Sequence, residues 1–355
     1  MKLGSGAFGT VTEEGEYAIK TIRDKYPLSG IREVLFLSEC DHPNVIKMIN
    51  VRITDSIMIV MEKWDMSLRN YLTLYPCPHV DAINRIMRNV LSAIDYLHSL
   101  GIIHADIKPD NLLINNAANK LALCDFGASM LNNTQEKSCI VQAKIYRAPE
   151  VNVRGNATYS FPIDIWSFGC TLYRLCTGVE LFNENVDDDT TIDLSHIFMV
   201  YRSTRTFRLD RLNLFDKNKI AETLGGKIAH IVGSNRLNSI TKLGIFDILV
   251  ESLIPNTQLR ITAELALARL GEKISEHRQL WFDIEVSEGK YPQLVNLIRN
   301  KINVMPSITD EMIIREIAMS IFSNEYDCIN SDDDKISRKR ISELLAILVT
   351  RKKCY

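Results

Sequence analysis

Three polar side chains that stand close together in the sequence have the chemistry of phosphoryl transfer: Asp106, Lys108 and Asn111. The Asp106 carboxylate can accept the proton of an attacking hydroxyl, and the Lys108 ammonium can neutralise the group being transferred. The Asn111 side-chain oxygen can hold Mg²⁺. By itself the segment is also compatible with an ordinary polar loop, so the assignment depends on the elements around it.

The surrounding patterns predict a loop that is held at both ends. An amphipathic helix pattern precedes the loop and ends at Gly101, and the apolar run Leu112–Ile114 after the loop predicts a strand. A second apolar stretch, Lys120–Leu123, leads to Asp125-Phe126-Gly127, and Ala148-Pro149-Glu150 follows later. The three motifs in this order resemble the signature set of protein kinases.

This resemblance implies an α+β, bilobal protein kinase fold with a small β-rich N-lobe and a large helical C-lobe. It also implies ATP and Mg²⁺ as cofactors, with the metal held by Asn111 and Asp125. Asp106 would then be the catalytic base that deprotonates a protein hydroxyl. Lys108 would stabilise the γ-phosphoryl group during its transfer.

A glycine-rich segment, Leu3–Val11, has the spacing Gly-x-Gly-x-x-Gly. Glycines let a backbone turn approach phosphates closely because they lack a side chain. Dinucleotide-binding folds use the same spacing but need a helix directly after it, whereas Thr10–Lys20 has the pattern of a β-hairpin. The hairpin favours the kinase glycine loop, and the short stretch before Leu3 predicts a shortened first strand. By resemblance, nucleotide contacts fall on Leu3, Gly4, Ser5, Gly6, Ala7, Phe8, Gly9, Val11 and Ala18.

A lysine and a glutamate are predicted to pair at the phosphate site. Lys20 ends a strand of the hairpin, where the family's lysine binds the α and β phosphates. Glu33, within a helix pattern over Ile31–Leu37, is the partner that holds this lysine in place. The segment Pro27–Leu37 resembles the PSTAIRE element of cyclin-dependent kinases. That similarity implies a cyclin-like regulatory subunit docked on this helix.

A β-rich run, Ser56–Trp64, ends in a polar joint. By resemblance Met61 is the gatekeeper residue, and the backbone of Glu62 to Trp64 bonds the adenine. The predicted boundaries are an N-lobe over 1–64, a C-lobe over 65–271 and a helical C-terminal extension over 272–355. The extension is interpreted as a tail on the C-lobe, with a fused cyclin-like module as the alternative.

The large lobe is predicted to be helical and to contain two scaffold contacts. Asp164, at the start of a helix pattern, is where the family braces the backbone of the catalytic loop. Arg260 stands where the family pairs a buried arginine with Glu150. The first long helix carries apolar residues at helical spacing, namely Ile83, Ile86, Met87, Val90, Leu91, Ile94 and Leu97.

Several residues narrow the expected function. Lysine at position 108 marks the serine/threonine class of the family, and Arg147 indicates proline-directed substrates. The segment Tyr146–Glu150, together with the PSTAIRE-like helix and Leu194–Phe198, favours the cyclin-dependent branch and a cell-cycle role. Ala143 departs from the family, which has a threonine there that bonds the catalytic aspartate.

The same resemblance predicts unusual regulation. In the family a phosphate on the activation loop is held by three arginines, and Ser138 best matches the phosphorylated position. Only Arg32 remains here, because the other two positions fall on Ala105 and on Ala128–Met130. One arginine orders a phosphate less well than a cluster does, so we expect packing to hold this loop. Ala7-Phe8 replaces the family's Thr-Tyr pair, so no inhibitory phosphorylation is expected in the glycine loop.

Composition and the pattern of apolar residues limit the partners, the cysteine sites and the cellular location that we expect. A formal net charge of −2 over 355 residues argues against nucleic acid or an anionic membrane as an obligate partner. Eight cysteines without a CxxC pair indicate neither a zinc site nor a disulfide framework. Met1–Lys20 lacks an apolar signal core, and no apolar run approaches the roughly 20 residues that span a bilayer. We therefore expect an intracellular protein of the cytoplasm, the nucleus or both, acting on protein substrates.

Two other classes of function stay open at this point. A pseudokinase scaffold would lack a catalytic group, but the phosphate-handling set is complete: Lys20, Glu33, Asp106, Asn111 and Asp125. A dinucleotide-binding enzyme is disfavoured by the hairpin that follows the glycines. The pattern as a whole predicts an active serine/threonine protein kinase.

Overall fold

The computed structural model describes residues 1–6, 9–23, 27–53, 56–115, 120–132, 134–136, 141–152, 157–182 and 217–275. Several sequence predictions fall outside these ranges. They are the contacts at Ala7 and Phe8, the activation site Ser138, the segment Leu194–Phe198 and the extension beyond residue 275.

The N-terminal part of the chain is an antiparallel five-stranded sheet in the order β1-β2-β3-β5-β4. The predicted hairpin is confirmed: its two strands pair from Gly9 opposite Ile22 to Glu14 opposite Tyr17, and Gly15 turns the chain at a φ of 60°. The first strand has four residues, as its position near the start of the chain predicts. The five strands are β1 (Lys2–Ser5), β2 (Gly9–Glu14), β3 (Tyr17–Ile22), β4 (Met48–Ile53) and β5 (Ile57–Glu62).

One helix, α1 (Pro27–Glu39), lies against this sheet and carries Glu33. The buried side chains Val34, Phe36 and Leu37 give it an apolar face. The helix begins four residues before the predicted start at Ile31. Proline is favoured in the first turn of a helix, so Pro27 is a start signal that the prediction left unused.

The rest of the described chain is mainly helical. Every residue of the predicted apolar stripe in the first long helix is buried, and Gly101 follows that helix with a φ of 77°. Apolar burial at helical spacing is therefore what places this helix in the core. The helices are α2 (Leu68–Leu74), α3 (Val80–Ser99), α4 (Pro162–Thr177), α5 (Lys217–Val232), α6 (Ser234–Lys242), α7 (Ile245–Ser252) and α8 (Ala263–Arg269).

Short strands between β5 and α4 lie on either side of the catalytic loop, residues 104–111. The strands predicted at Leu112–Ile114 and Lys120–Leu123 are confirmed and pair with each other. A second pair of short strands brings the residues before the loop next to those after Asp125. These strands are β6 (Met66–Ser67), β7 (Ile102–Ile103), β8 (Leu112–Asn115), β9 (Lys120–Leu123), β10 (Met130–Leu131), β11 (Thr134–Glu136) and β12 (Ala157–Tyr159).

The connection between α1 and β4 ties the sheet to the helical part. Val45 forms a parallel bridge with Leu123, and the Asn44 side chain donates to the Leu121 carbonyl at 2.8 Å. The sheet is thereby fixed against the strand that leads to Asp125. Within the described ranges, no helix has the length and apolarity needed to cross a membrane.

Candidate active site

The backbone of the catalytic loop is held by a buried carboxylate, as the sequence predicted. Asp164, in the first turn of α4, accepts hydrogen bonds from the backbone N–H groups of His104 and Ala105, both at 2.8 Å. The ring of His98 lies 3.1 Å from the same carboxylate. Ala105 has a φ of 61°, a left-handed conformation that residues other than glycine rarely adopt. The carboxylate therefore holds the loop in a backbone shape that it would not adopt freely.

His104 connects the catalytic loop to the end of β9. Its Nδ1 accepts from the Asp106 backbone N–H at 3.3 Å, and its Nε2 donates to the Cys124 carbonyl at 3.1 Å. Burial lowers the pKa of His104, so the ring is neutral and can accept at one nitrogen while it donates at the other. This single ring fixes Asp106 relative to the segment that carries Asp125.

The predicted catalytic side chains lie together. Lys108 Nζ is 2.6 Å from Asp106 Oδ2, and Asn111 Nδ2 donates to the same oxygen at 2.8 Å. Asn111 Nδ2 also donates to the Asp106 carbonyl at 2.8 Å. No described residue donates to Asp106 Oδ1, which leaves this oxygen open to a hydroxyl. Lys108 and Asn111 thus orient a carboxylate whose other oxygen is available as a base.

The predicted ion pair between Lys20 and Glu33 is present, and Asp125 shares it. Lys20 Nζ lies 2.6 Å from Glu33 Oε2 and 2.7 Å from Asp125 Oδ1. Burial alone would lower the pKa of Lys20, but the two carboxylates outweigh it and raise this pKa. Burial alone would raise the pKa of Asp125, but the neighbouring Lys20 ammonium outweighs burial and lowers this pKa. The pKa of Glu33 is raised, because burial and the negative charge of Asp125 outweigh the effect of Lys20. One ammonium group does not fully neutralise the buried Glu33 carboxylate and the partly exposed Asp125 carboxylate, so the site favours a further cation.

The oxygens at this site suit Mg²⁺. The Asn111 carbonyl accepts from the Cys124 N–H at 2.9 Å, which places Asn111 beside Asp125. The Asn111 amide nitrogen is committed to Asp106, so the side-chain oxygen is the atom free to bind a metal. Among the described residues no three His, Cys, Asp or Glu side chains form a metal cluster. Mg²⁺ commonly binds through one or two protein oxygens plus substrate phosphates and water, so the donor set fits this metal.

The glycines of the Leu3–Val11 segment differ in how much space surrounds them. A Cβ on Gly9 would lie 2.6 Å from the Thr21 carbonyl oxygen, so this glycine is required by the pairing of β2 with β3. A Cβ on Gly4 or Gly6 would meet no atom within 4 Å. The space over these two glycines is open and suits the approach of phosphates.

The segment predicted to bind adenine, Glu62 to Trp64, begins at the last residue of β5. Met61 is buried and lies opposite Ala18 on β3, so the predicted gatekeeper and this predicted nucleotide contact are neighbours on one face of the sheet. The Glu62 N–H donates to the Lys47 carbonyl at 3.2 Å, and its carboxylate accepts from the Lys47 N–H at 3.1 Å. The adenine contact predicted at Glu62 therefore falls on the Glu62 carbonyl, because the N–H and the carboxylate are bonded to Lys47.

Arg32 has an internal role that the sequence did not predict. Its guanidinium donates to the Gly127 carbonyl at 3.1 Å, and the Ser29 hydroxyl donates to the same oxygen at 3.1 Å. Arg32 is buried. Helix α1 is thereby tied to the Asp125-Phe126-Gly127 segment. Both donors lie within the PSTAIRE-like element, but nothing in the sequence pairs them with position 127.

The segment after the activation loop is fixed by two arginines. Arg260 pairs with Glu150 at 2.6 and 3.1 Å, as predicted. Arg147 donates to the carbonyls of Val141 and Gln142 at 3.0 and 2.9 Å. Gln142 has a φ of 67°, which sequence reasoning missed because glutamine carries no signal for a left-handed backbone.

A second group missed from the sequence connects the catalytic loop to this segment. Arg69 on α2 donates to Asp110 at 2.7 Å and to the Tyr146 hydroxyl at 3.4 Å. The Tyr146 hydroxyl donates to Glu180 at 2.7 Å, and Glu180 also pairs with Arg174. Arg69, Arg174 and Glu180 belong to no motif, and no sequence signal paired them with Tyr146 or Asp110. They place residues 141–148 beside the loop that carries Asp106.

Comparisons with known proteins agree with this geometry. The protein kinase domain family matches residues 1–269. Cyclin-dependent kinase 4 of Xenopus laevis is 33% identical over 211 residues, which cover 53% of this chain and 65% of that protein. Cyclin-dependent kinase 4 of Mus musculus is 34% identical over 215 residues, covering 53% of this chain and 70% of that protein. The match thus spans about two thirds of the length of these relatives. The chain belongs to the protein kinase family and is similar, within it, to cyclin-dependent kinases.

Proposed function

We propose that this chain is an ATP- and Mg²⁺-dependent serine/threonine kinase that phosphorylates protein substrates. The observation that carries the proposal is the Asp106 carboxylate. One of its oxygens is held by Lys108 and Asn111, and no described residue donates to the other. An oriented carboxylate with an open oxygen is what a general base for a hydroxyl requires.

Bound Mg²⁺-ATP supplies the phosphoryl group and the positive charge that stabilises its transfer. The protein's own residues then have separate tasks. Asp106 accepts the hydroxyl proton at Oδ1, and Lys108 offsets the charge on the group in transfer. Lys20, kept in place by Glu33, binds phosphate oxygens, and Asp125 with Asn111 holds the metal. The amino acid class of the acceptor follows from Lys108, which by resemblance marks the serine/threonine class.

Proline directly after the acceptor is the preferred substrate residue. Arg147 engages the carbonyls of Val141 and Gln142, so these oxygens are occupied by the protein itself. A substrate residue whose N–H group faces these two carbonyls would find no free acceptor, and the unpaired N–H would cost about 1–3 kcal/mol. Proline has no N–H and avoids this cost.

A cyclin-like regulatory subunit binds along Pro27–Leu37. Support comes from the PSTAIRE-like sequence and from the similarity to proteins named as cyclin-dependent kinases. Because Arg32 is buried against Gly127, charge reversal there would break an internal contact and would not test the partner. Ile31→Asp is the sharper change, with Ile231→Asp on the exposed part of α5 as a matched control. Loss of cyclin capture in the first variant alone supports the docking site, and equal capture by both contradicts it.

The experiment that tests the kinase assignment is phosphoryl transfer from ATP to a serine peptide and to its tyrosine analogue. The full chain is assayed with and without cyclins. Transfer to serine supports the proposal, whereas transfer to tyrosine alone contradicts the serine/threonine assignment. Absence of transfer under every condition, with ATP still bound, would favour the pseudokinase alternative.

A further inference from the structure

Two cysteines lie where the connection between α2 and α3, residues 75–79, passes the C-terminal end of α4. Cys77 is exposed in this connection, and Cys176 is buried in the last turn of α4. Both are free thiols in the structure. Neither belongs to the catalytic or phosphate-handling residues, so the proposed reaction gives them no role.

Backbone contacts hold the two segments together. The Arg236 guanidinium, on α6, donates to the Cys176 carbonyl at 3.0 Å and to the Pro78 carbonyl at 2.6 Å. A Cβ on Gly178 would lie 2.7 Å from the Pro76 carbonyl oxygen, so the connection passes directly beside the end of α4. Both prolines of the connection are thus held against the helix that carries Cys176.

The surroundings give the two thiols different reactivity. Cys77 stands between Pro76 and Pro78, and a residue before proline is restricted to extended conformations, so its backbone has little freedom. Burial raises the pKa of Cys176 to about 12, against a lowering by the Arg236 charge and with a further rise from the nearby Cys77. Cys176 is therefore a protonated thiol that solutes do not reach, whereas Cys77 is open to them.

We propose that Cys77 and Cys176 are a redox-sensitive pair that hydrogen peroxide converts to a disulfide. In the first step the Cys77 sulfur attacks one peroxide oxygen, the O–O bond breaks, and a sulfenic acid and water form. In the second step the Cys176 sulfur attacks the Cys77 sulfur, the S–O bond breaks, and the thiol proton leaves with the hydroxyl group as water. Two thiols and one peroxide thus give one disulfide and two molecules of water.

The disulfide would join two helices that support the catalytic loop. Arg69 on α2 and Arg174 on α4 both pair with Glu180, and Arg69 also pairs with Asp110 of that loop. The bond closes a loop of about 100 residues, which restricts the unfolded chain and so stabilises the folded one. Disulfides in cytosolic proteins are usually transient and redox-sensing, so we expect this bond to be reversible.

The test treats the purified full chain with a small molar excess of hydrogen peroxide and maps its peptides without a reductant. We expect the Cys77 and Cys176 peptides to be joined with the loss of two hydrogen atoms, and dithiothreitol to separate them. The melting temperature should rise by about 5 °C or more on oxidation and return on reduction. Oxidation of Cys77 alone, or its linkage to another cysteine, overturns the pairing. A crosslink that leaves the melting temperature unchanged overturns the stabilising role.

Three variants assign the effect to this pair. Cys77→Ser, at an exposed position, should fold normally and lose both the crosslink and the rise in melting temperature. Cys176→Ala keeps a small apolar side chain at the buried position and should behave in the same way. Cys170→Ala, at a similarly buried position of α4, is the matched control and should keep the crosslink.

Two results among these variants would contradict the proposal. A crosslink that survives in Cys77→Ser overturns the assignment, and so does its loss in a folded Cys170→Ala. Because none of these measurements uses phosphoryl transfer, the outcome is independent of the proposed kinase function.

Discussion

Loss of the Glu150 charge should destabilise the protein strongly, because its partner is fully buried. The Arg260 side chain has 0% exposure and pairs with Glu150 through both carboxylate oxygens. Removing one partner of a buried pair typically costs about 3–5 kcal/mol, because the remaining charge stays uncompensated. In Glu150→Gln, Arg260 would keep the carbonyls of Pro162, Ile254 and Pro255 as acceptors. We therefore expect the lower end of the range, about 3 kcal/mol.

Urea unfolding measures this directly. The midpoint should fall at an unchanged slope, and the melting temperature should drop by roughly 6–12 °C. Glu222→Gln, an exposed glutamate on α5, is the matched control and should change stability by less than about 0.5 kcal/mol. Replacing both partners, as in Glu150→Leu with Arg260→Met, should recover part of the loss because no unpaired charge remains. A loss below about 1 kcal/mol in Glu150→Gln would refute the reasoning, since it would mean that the backbone carbonyls alone satisfy the guanidinium.

Four further outcomes are expected. Asp106→Asn should lower kcat by about 100-fold or more with ATP binding retained, and wild-type turnover in this variant would exclude Asp106 as the base. Chelation by EDTA should abolish transfer and added Mg²⁺ should restore it, because Asn111 and Asp125 offer only oxygen ligands; transfer that persists in EDTA would contradict the metal assignment. Ser138→Ala should keep the rate of the unmutated chain after both are incubated with an activating kinase, and a large loss would show that phosphate orders the loop. Phosphosite mapping should find no inhibitory phosphate within Gly4–Val11, and the discovery of one would overturn the expected absence of that switch.

Individual helices and strands could be predicted from the sequence, because the apolar spacing and turn residues that indicate them lie within the element itself. The apolar spacing along α3 and the glycine after it fixed both the helix and its end. The hairpin after the glycine segment was visible in the same way, as an alternating pattern around Gly15. The start of α1 was predicted late because the proline signal at position 27 was not used.

Contacts between distant residues needed the family resemblance or remained hidden. Lys20 and Glu33 are 13 residues apart and were paired by the kinase pattern, and so was Arg260 with Glu150. The approach of Lys20 to Asp125, 105 residues away, was not foreseen. The Arg69 group and Gln142 were missed because charges or an amide at these positions look like ordinary surface residues in a sequence. The assignment of ligands to the site residues and the location in the cytoplasm or nucleus stay predictions.

The residues with a left-handed backbone conformation near the active site affect the stability of this part of the protein. Among the described residues, Ala105, Asp125 and Gln142 adopt a positive φ without being glycine. At about 1–3 kcal/mol each, they store roughly 3–9 kcal/mol of backbone strain, which is comparable to the net stability of a whole domain. Mutations that weaken the surrounding contacts would release this strain, so the catalytic region should be among the first parts of the chain to open. Among these three residues, Ala105 is the one where glycine would relieve the strain without removing a side-chain hydrogen bond, so there a gain in stability would oppose an activity that depends on the shape of the loop.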